Sequence, residues 1–154
     1  MKHGIHTLDD FMARGKTILC RVDMNCPLDP QTKSFRDTTR IDQGISTVQE
    51  LSASGAKTVL LAHQGGDLEY HNFASTRLHA QVVSDRIGSR VAHIDDVCGP
   101  AARGAIASLK DGEILLLENV RIMSEEMTLF ETKLDLSPAQ QAKTTTVRML
   151  APLA

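Results

Sequence analysis

The sequence predicts an α/β domain built on an open, doubly wound, mostly parallel sheet. Three observations predict it. Short Leu-, Val- and Ile-rich runs alternate with segments whose apolar residues recur at helical spacing. The short runs are apolar almost throughout, as strands covered on both faces require. Gly or Pro marks most changes from one pattern to the other. At 154 residues, 42% of them hydrophobic, the chain is long enough for one domain with a core and short for two, so residues 1–154 are expected to form a single unit. The expected architecture has three layers and is Rossmann-like, with helices on either side of the sheet.

The elements follow in β-α order. The first strand is expected over Thr17 to Met24. After a polar connection comes a helix with Ile41, Ile45, Val48 and Leu51 on one face, stopped by Gly55 as a left-handed cap. The second strand is Thr58 to Ala62. Ser75 to Ile87 reads as a helix, with Leu78, Val82 and Ile87 inward and Gly88 as its stop. Val91 to Ile94 is a short third strand. Gly99-Pro100 opens a small helix that packs through Ala101, Ala105 and Leu109. Glu113 to Glu118 is the fourth strand. Ser137-Pro138-Ala139-Gln140 is a capping box whose helix should run to about Leu150. That helix leads to Ala151-Pro152-Leu153-Ala154 with no strand to receive it. The sheet is therefore expected to be incomplete at its C-terminal edge, and the chain to be the front part of a longer protein.

Composition excludes some functions. A net charge of −2 with 23% charged residues gives no basic surface for phosphate backbones, and 3% aromatics with no Trp gives no platform for stacking bases. No nucleic-acid partner is expected. Asp9 and Asp10 interrupt the stretch where a signal peptide needs an apolar core, and no later run approaches a membrane span. Cys20, Cys26 and Cys98 are odd in number and form no CxxC pair, which fits buried reduced thiols. A cytoplasmic protein without a membrane partner is the expectation.

Ligands of open parallel sheets bind outside the carboxyl ends of the strands. Polar residues collect there in this chain. Arg21, Asp23 and Asn25 stand at every second position at the end of the first strand; the second runs into His63-Gln64-Gly65-Gly66; the fourth ends in Glu118-Asn119-Val120-Arg121. Adjacent glycines let a backbone approach a ligand and aim amide hydrogens at an anion.

Other motifs carry less. Gly15-Lys16-Thr17 resembles the tail of a P-loop, but Asp10 replaces the upstream glycine and the motif precedes a strand instead of following one. Asp95-Asp96 suits a helix entry or a solvated turn better than Mg²⁺, and Glu125-Glu126 reads as a solvated charge pair. His3, His6, His71, His79 and His93 lack metal-ligand spacing, so no metal site is expected.

Taken in order, Arg21-Val-Asp-Met-Asn-Cys-Pro27, Asp37-Thr-Thr-Arg-Ile41, Ser54-Gly-Ala-Lys57, Ala62-His-Gln64, Asp95-Asp96 with Gly99, Leu115-Leu-Leu-Glu-Asn-Val-Arg121, and the tail from Gln141-Ala-Lys143 to Ala151-Pro-Leu153 cover nearly the whole chain. Their pattern resembles the N-terminal, substrate-binding domain of phosphoglycerate kinase, nearest the archaeal branch. The resemblance implies a kinase that moves a phosphoryl group between ATP and the carboxyl of 3-phosphoglycerate in glycolysis. It implies Mg-ATP or ADP on a C-terminal domain, with none expected on these residues, and 3-phosphoglycerate or a related triose acid on this one. A monomeric full-length enzyme is expected. Carried over by motif, Asp23, Met24 and Asn25 would face the triose acid, Arg40 would lie along the transferring phosphoryl as the catalytic cation, and His63, Gln64, Gly65, Gly66 and Arg121 would line the substrate phosphate. A non-catalytic phosphometabolite-binding or regulatory module on the same fold is the alternative. The family's motif after the second strand carries an arginine where this chain has Gly66, followed by Asp67; Arg77 is the nearest cation in sequence to replace it. The family's next strand, Asn-Asp-Ala-Phe, and its nucleotide domain have no counterpart in these residues, which alone are not expected to transfer phosphoryl.

Overall fold

The computed structural model describes residues 4–66, 73–126 and 135–154. Among them four strands form one all-parallel sheet: β1 (Thr17–Arg21), β2 (Lys57–Leu61), β3 (Val91–Ile94) and β4 (Ile114–Leu117), in the spatial order β1-β2-β4-β3. Helices cover both faces. Strand side chains alternate between them, because successive residues of a strand point to opposite sides. Leu60, Ile114 and Leu116 meet Ile41 and Val48 of α1 (Thr39–Ala53) and Ala80 and Val83 of α2 (Arg77–Ile87). Val59, Leu115 and Leu117 meet Ala102 and Ile106 of α3 (Pro100–Ser108) and Leu150. Every residue of the central β4 is buried, which is why Ile-Leu-Leu-Leu shows no alternation. Each such side chain contributes roughly 1.5–3 kcal/mol by leaving water.

The expected strands and helices are present, and four details differ for physical reasons. The first strand stops at Arg21 and not at Met24. Beyond the Val22 N–H, which still donates to Leu61 O, side chains take over the backbone donors: Asn25 N–H donates to Asp23 Oδ1 (3.1 Å) and Cys26 N–H to Gln64 Oε1 (3.2 Å). The second difference is the inner face of α2, which is His79, Ala80 and Val83, while Leu78 is exposed. A histidine holds the centre of that face, and apolar periodicity does not register it. The third is α3, which packs through Ala102 and Ile106, with Leu109 just beyond its end and Ala101 exposed.

The fourth is the last helix, which is two pieces, α4 (Pro138–Gln141) and α5 (Thr145–Leu150). The Ser137–Gln140 capping box starts α4 as expected. Thr144 is extended (ψ 150°), and the Glu125 carboxylate accepts from Thr145 N–H (2.6 Å) and Thr146 N–H (3.1 Å), so α5 has its own N-terminal cap. Gly88 (φ +69°) ends α2 in the left-handed region that glycine adopts without steric cost. Cys20, Cys26 and Cys98 are free thiols, the last two buried. No helix of the described residues is long and apolar enough to cross a membrane.

Candidate functional site

Because β1, β2 and β4 are neighbours and parallel, their carboxyl ends open on one edge of the sheet. A cleft of about 600 Å³ lies there, lined by Asn25, Arg40, Gln64, Gly65 and Gly66 together with Cys26 to Leu28. Its frame is a set of hydrogen bonds among the three strand ends. Gln64 is buried and pairs twice with Cys26, accepting from its N–H and donating Nε2 to its carbonyl at 2.9 Å. Asn25 Oδ1 accepts from Gly65 N–H at 3.0 Å, which leaves the Asn25 NH₂ as the group it can offer a ligand. From β4, the buried Asn119 donates to Gln64 O (2.7 Å) and Ala74 O (2.9 Å) and accepts from Arg121 N–H (3.1 Å). Gly65 has φ +87°, so the turn after His63 needs glycine for its conformation.

The charged groups sit on this frame. Arg40, in the first turn of α1, donates Nη1 to Asp23 Oδ2 at 2.7 Å, both side chains being more than half exposed (54% and 58%). An exposed pair of this kind contributes only about 0–1 kcal/mol, so a ligand can open it at small cost. Arg121 donates Nη1 to Gly65 O at 2.8 Å and thereby rests on the glycine turn. Arg21 is gripped by both oxygens of Glu126 (2.8 and 3.0 Å), a forked pair that raises its pKa. His63 is half-buried, and its pKa falls below the usual histidine value through burial first and the Arg121 charge second, with Asp23 and Glu126 opposing.

Of the residues singled out from sequence, Asp23, Asn25, Arg40, His63, Gln64, Gly65, Gly66 and Arg121 come together at this edge. Met24 is placed differently: its side chain is fully buried in the core with Ile41 and Leu60, so it offers the cleft no side chain. Gln64 braces the turn through Cys26. Arg77 does not stand in for an arginine at position 66: it pairs with Asp95 (2.7 Å to Oδ1) and lies outside the lining of this cleft, beside Leu28, Lys33 and Ala74. Position 66 is instead approached by Arg121, whose Nη1 lies 2.8 Å from where a Gly66 Cβ would be.

Sequence reasoning missed the parts played by four residues. Glu126 and Glu125 are ion-pair and cap partners of Arg21 and of α5, which corrects their reading as a solvated pair. Asn119 lay within a recognised motif without an assigned part. His79 is buried, with Nε2 3.0 Å from Gln64 Oε1 and an edge-on contact to Phe35 at 4.7 Å; burial first of all pushes its pKa down to about 4. Those partners are 15 to 105 residues apart in sequence, where no spacing signal reaches. The fold also gathers His93, Asp95 and Glu118, with one ligand atom of each within 4.8 Å of the others, a grouping that sequence spacing did not reveal. Its carboxylates are already engaged: Asp95 by Arg77, and Glu118 by Ser75 Oγ (2.7 Å), Thr76 N–H (2.9 Å) and Asn119 N–H (2.6 Å).

Fold and site together define a class: an open parallel α/β domain with a polar cleft at its strand carboxyl ends, lined by Arg40 and with Arg121 on its glycine turn. The chain belongs to the phosphoglycerate kinase family, whose model matches residues 8–154. It is 45% identical over 153 residues to a phosphoglycerate kinase of Methanobacterium bryantii, covering 99% of this chain and 36% of that protein. It is 40% identical to the phosphoglycerate kinase of Sulfurisphaera tokodaii, covering 97% and 34%. The crystal structure of phosphoglycerate kinase from Pyrococcus horikoshii superimposes with a TM-score of 0.83 at 32% identity, covering 97% of this chain and 35% of that one. The chain thus spans about a third of the length of the curated relatives it matches.

Proposed function

We propose that the cleft holds 3-phosphoglycerate, or a closely related phosphorylated triose acid, as the substrate-binding domain (residues 1–154) of a phosphoglycerate kinase. In the complete enzyme the γ-phosphoryl of ATP passes to the substrate carboxylate, giving ADP and 1,3-bisphosphoglycerate, and glycolysis runs the step in reverse. The observation that carries this reading is the gathering of Arg40, His63 and Arg121 with Asp23 and Asn25 at three adjacent strand ends, around a cleft that Asn25, Arg40 and the glycine turn line. The substrate is a polyanion with one free hydroxyl. Arg121 and His63 suit its phosphate, the guanidinium through its forked donors. Asn25 offers an amide, and Asp23 accepts from the hydroxyl once Arg40 leaves it. Arg40, released from Asp23, is the cation placed to offset charge on the transferring phosphoryl, in a reaction where positioning and electrostatics supply most of the catalysis.

Mg-ATP is the second substrate, and the described residues do not suit it. Helix N-termini are the usual phosphate seats, and here they carry carboxylates: Asp37 accepts from Thr39 N–H at α1, Glu118 from Thr76 N–H at α2, and Asp96 from Gly99 and Ala102 N–H at α3. This supports a nucleotide bound to the enzyme's other domain.

Calorimetric titration of the chain with 3-phosphoglycerate, 2-phosphoglycerate and inorganic phosphate at low salt tests the reading. Selective binding of 3-phosphoglycerate is expected, weakened about ten- to a hundredfold in Arg40→Ala and in Arg121→Ala, the loss typical of one charged hydrogen bond. Equal affinity in both variants and the parent would remove the assignment.

A further inference from the structure

The two glycines after His63 are glycine for different reasons. Gly65 is buried with φ +87° and needs glycine for its conformation. Gly66 is exposed and lies outside the left-handed region, so no positive φ calls for glycine there. What a side chain there would meet is the Arg121 guanidinium. A Cβ on Gly66 would stand 2.8 Å from Arg121 Nη1, closer than Cβ atoms come to any neighbour, and the atom in its way is the tip of a flexible side chain. At that point Arg121 Nη1 donates to the carbonyl of Gly65, one residue earlier, also at 2.8 Å. Guanidinium and Cβ compete for one volume.

We infer that Gly66 is a positioning residue: by having no side chain it seats the Arg121 guanidinium across the glycine turn and so sets where that cation meets an anion in the cleft. The seating is a statement about the molecule itself. Its consequence for affinity rests on the proposed reading of the cleft as a phosphoglycerate site. A residue of any size at 66 displaces the guanidinium at little cost in stability, because the arginine swings and the backbone stays. Gly66 thereby couples the turn after β2 to the cation supplied by the end of β4.

Gly66→Ala tests this, with Gly104→Ala, whose added Cβ meets nothing within 4 Å, as the control for glycine replacement in general. Crystal structures of parent and Gly66→Ala without ligand are read first. The expected result is an Arg121 guanidinium moved off the Gly65 carbonyl in the variant; a guanidinium still bonded to Gly65 O, with the turn shifted instead, overturns the inference. Affinity for 3-phosphoglycerate is then measured in a double-mutant cycle with Arg121→Ala. Gly66→Ala should weaken binding roughly tenfold in the parent and hardly at all where Arg121 is already alanine, with an unchanged melting temperature in both. Penalties that simply add would mean that Gly66 does not act through Arg121, and would overturn it. A parent that binds no 3-phosphoglycerate contradicts the reading of the cleft, while the crystallographic comparison still decides the seating of Arg121.

Discussion

At the scale of single residues, the cleft depends on polar side chains that have left water and found partners within the fold. Asn119 is the strongest case. It is fully buried and satisfies the carbonyls of Gln64 and Ala74 and the N–H of Arg121, so Asn119→Ala strands three backbone groups and should cost about 3 kcal/mol in a urea titration. A loss below about 1 kcal/mol would mean the network is not structural. His79 predicts a pH effect. Its native pKa, near 4, lies below the ordinary histidine value. The unfolded chain therefore binds a proton first as pH falls, and stability declines from about pH 6.5 down to about pH 4, where the native state also protonates. Between about pH 7.5 and about pH 5 this contributes on the order of 2 kcal/mol, which His79→Gln should remove from the parent's pH profile. An identical profile in the variant would contradict the assignment. Neither residue's part was legible in sequence, because a buried amide and a buried imidazole are defined by partners far along the chain.

At the scale of elements, carboxylates govern the helix ends. Asp37, Glu118, Asp96 and Glu125 take N–H groups at the starts of α1, α2, α3 and α5. Each satisfies donors that a helix cannot pair internally and complements its dipole. Asp96→Ala removes acceptors from Gly99 and Ala102 N–H and should destabilise the domain by about 1–2 kcal/mol, read from denaturant midpoints. A midpoint unchanged from the parent would mean that water serves the α3 terminus equally well. Under the proposed function, phosphate recognition then falls to arginine side chains. The helices themselves were legible where a cap lies next in sequence, as with Gly88 after α2 and Pro100 at the start of α3. They were misread where the cap comes from elsewhere: Glu125 breaks the last helix in two from 20 residues away.

At the scale of the whole molecule, strand order makes the cleft. The run of apolar strands announced a parallel sheet, and the polar residues at the ends of the first, second and fourth strands announced an edge. The order β1-β2-β4-β3 is what makes those three ends adjacent. The charged residues there were recognisable from sequence, but their pairings were not, since Arg21–Glu126 and Arg121–Gly65 join positions 105 and 56 residues apart. A second pocket of about 270 Å³ lies at the opposite, amino end of the sheet, where Arg90 and Glu113 flank the starts of β3 and β4. It provides an internal comparison. The most direct measurement is therefore a map of backbone amide chemical shifts of the chain as 3-phosphoglycerate is added. The account predicts saturable shifts at Asn25, Gly65, Gly66 and Arg121, with Gly112 and Glu113 unmoved. Shifts confined to the amino end of the sheet, or none at any residue, would contradict it.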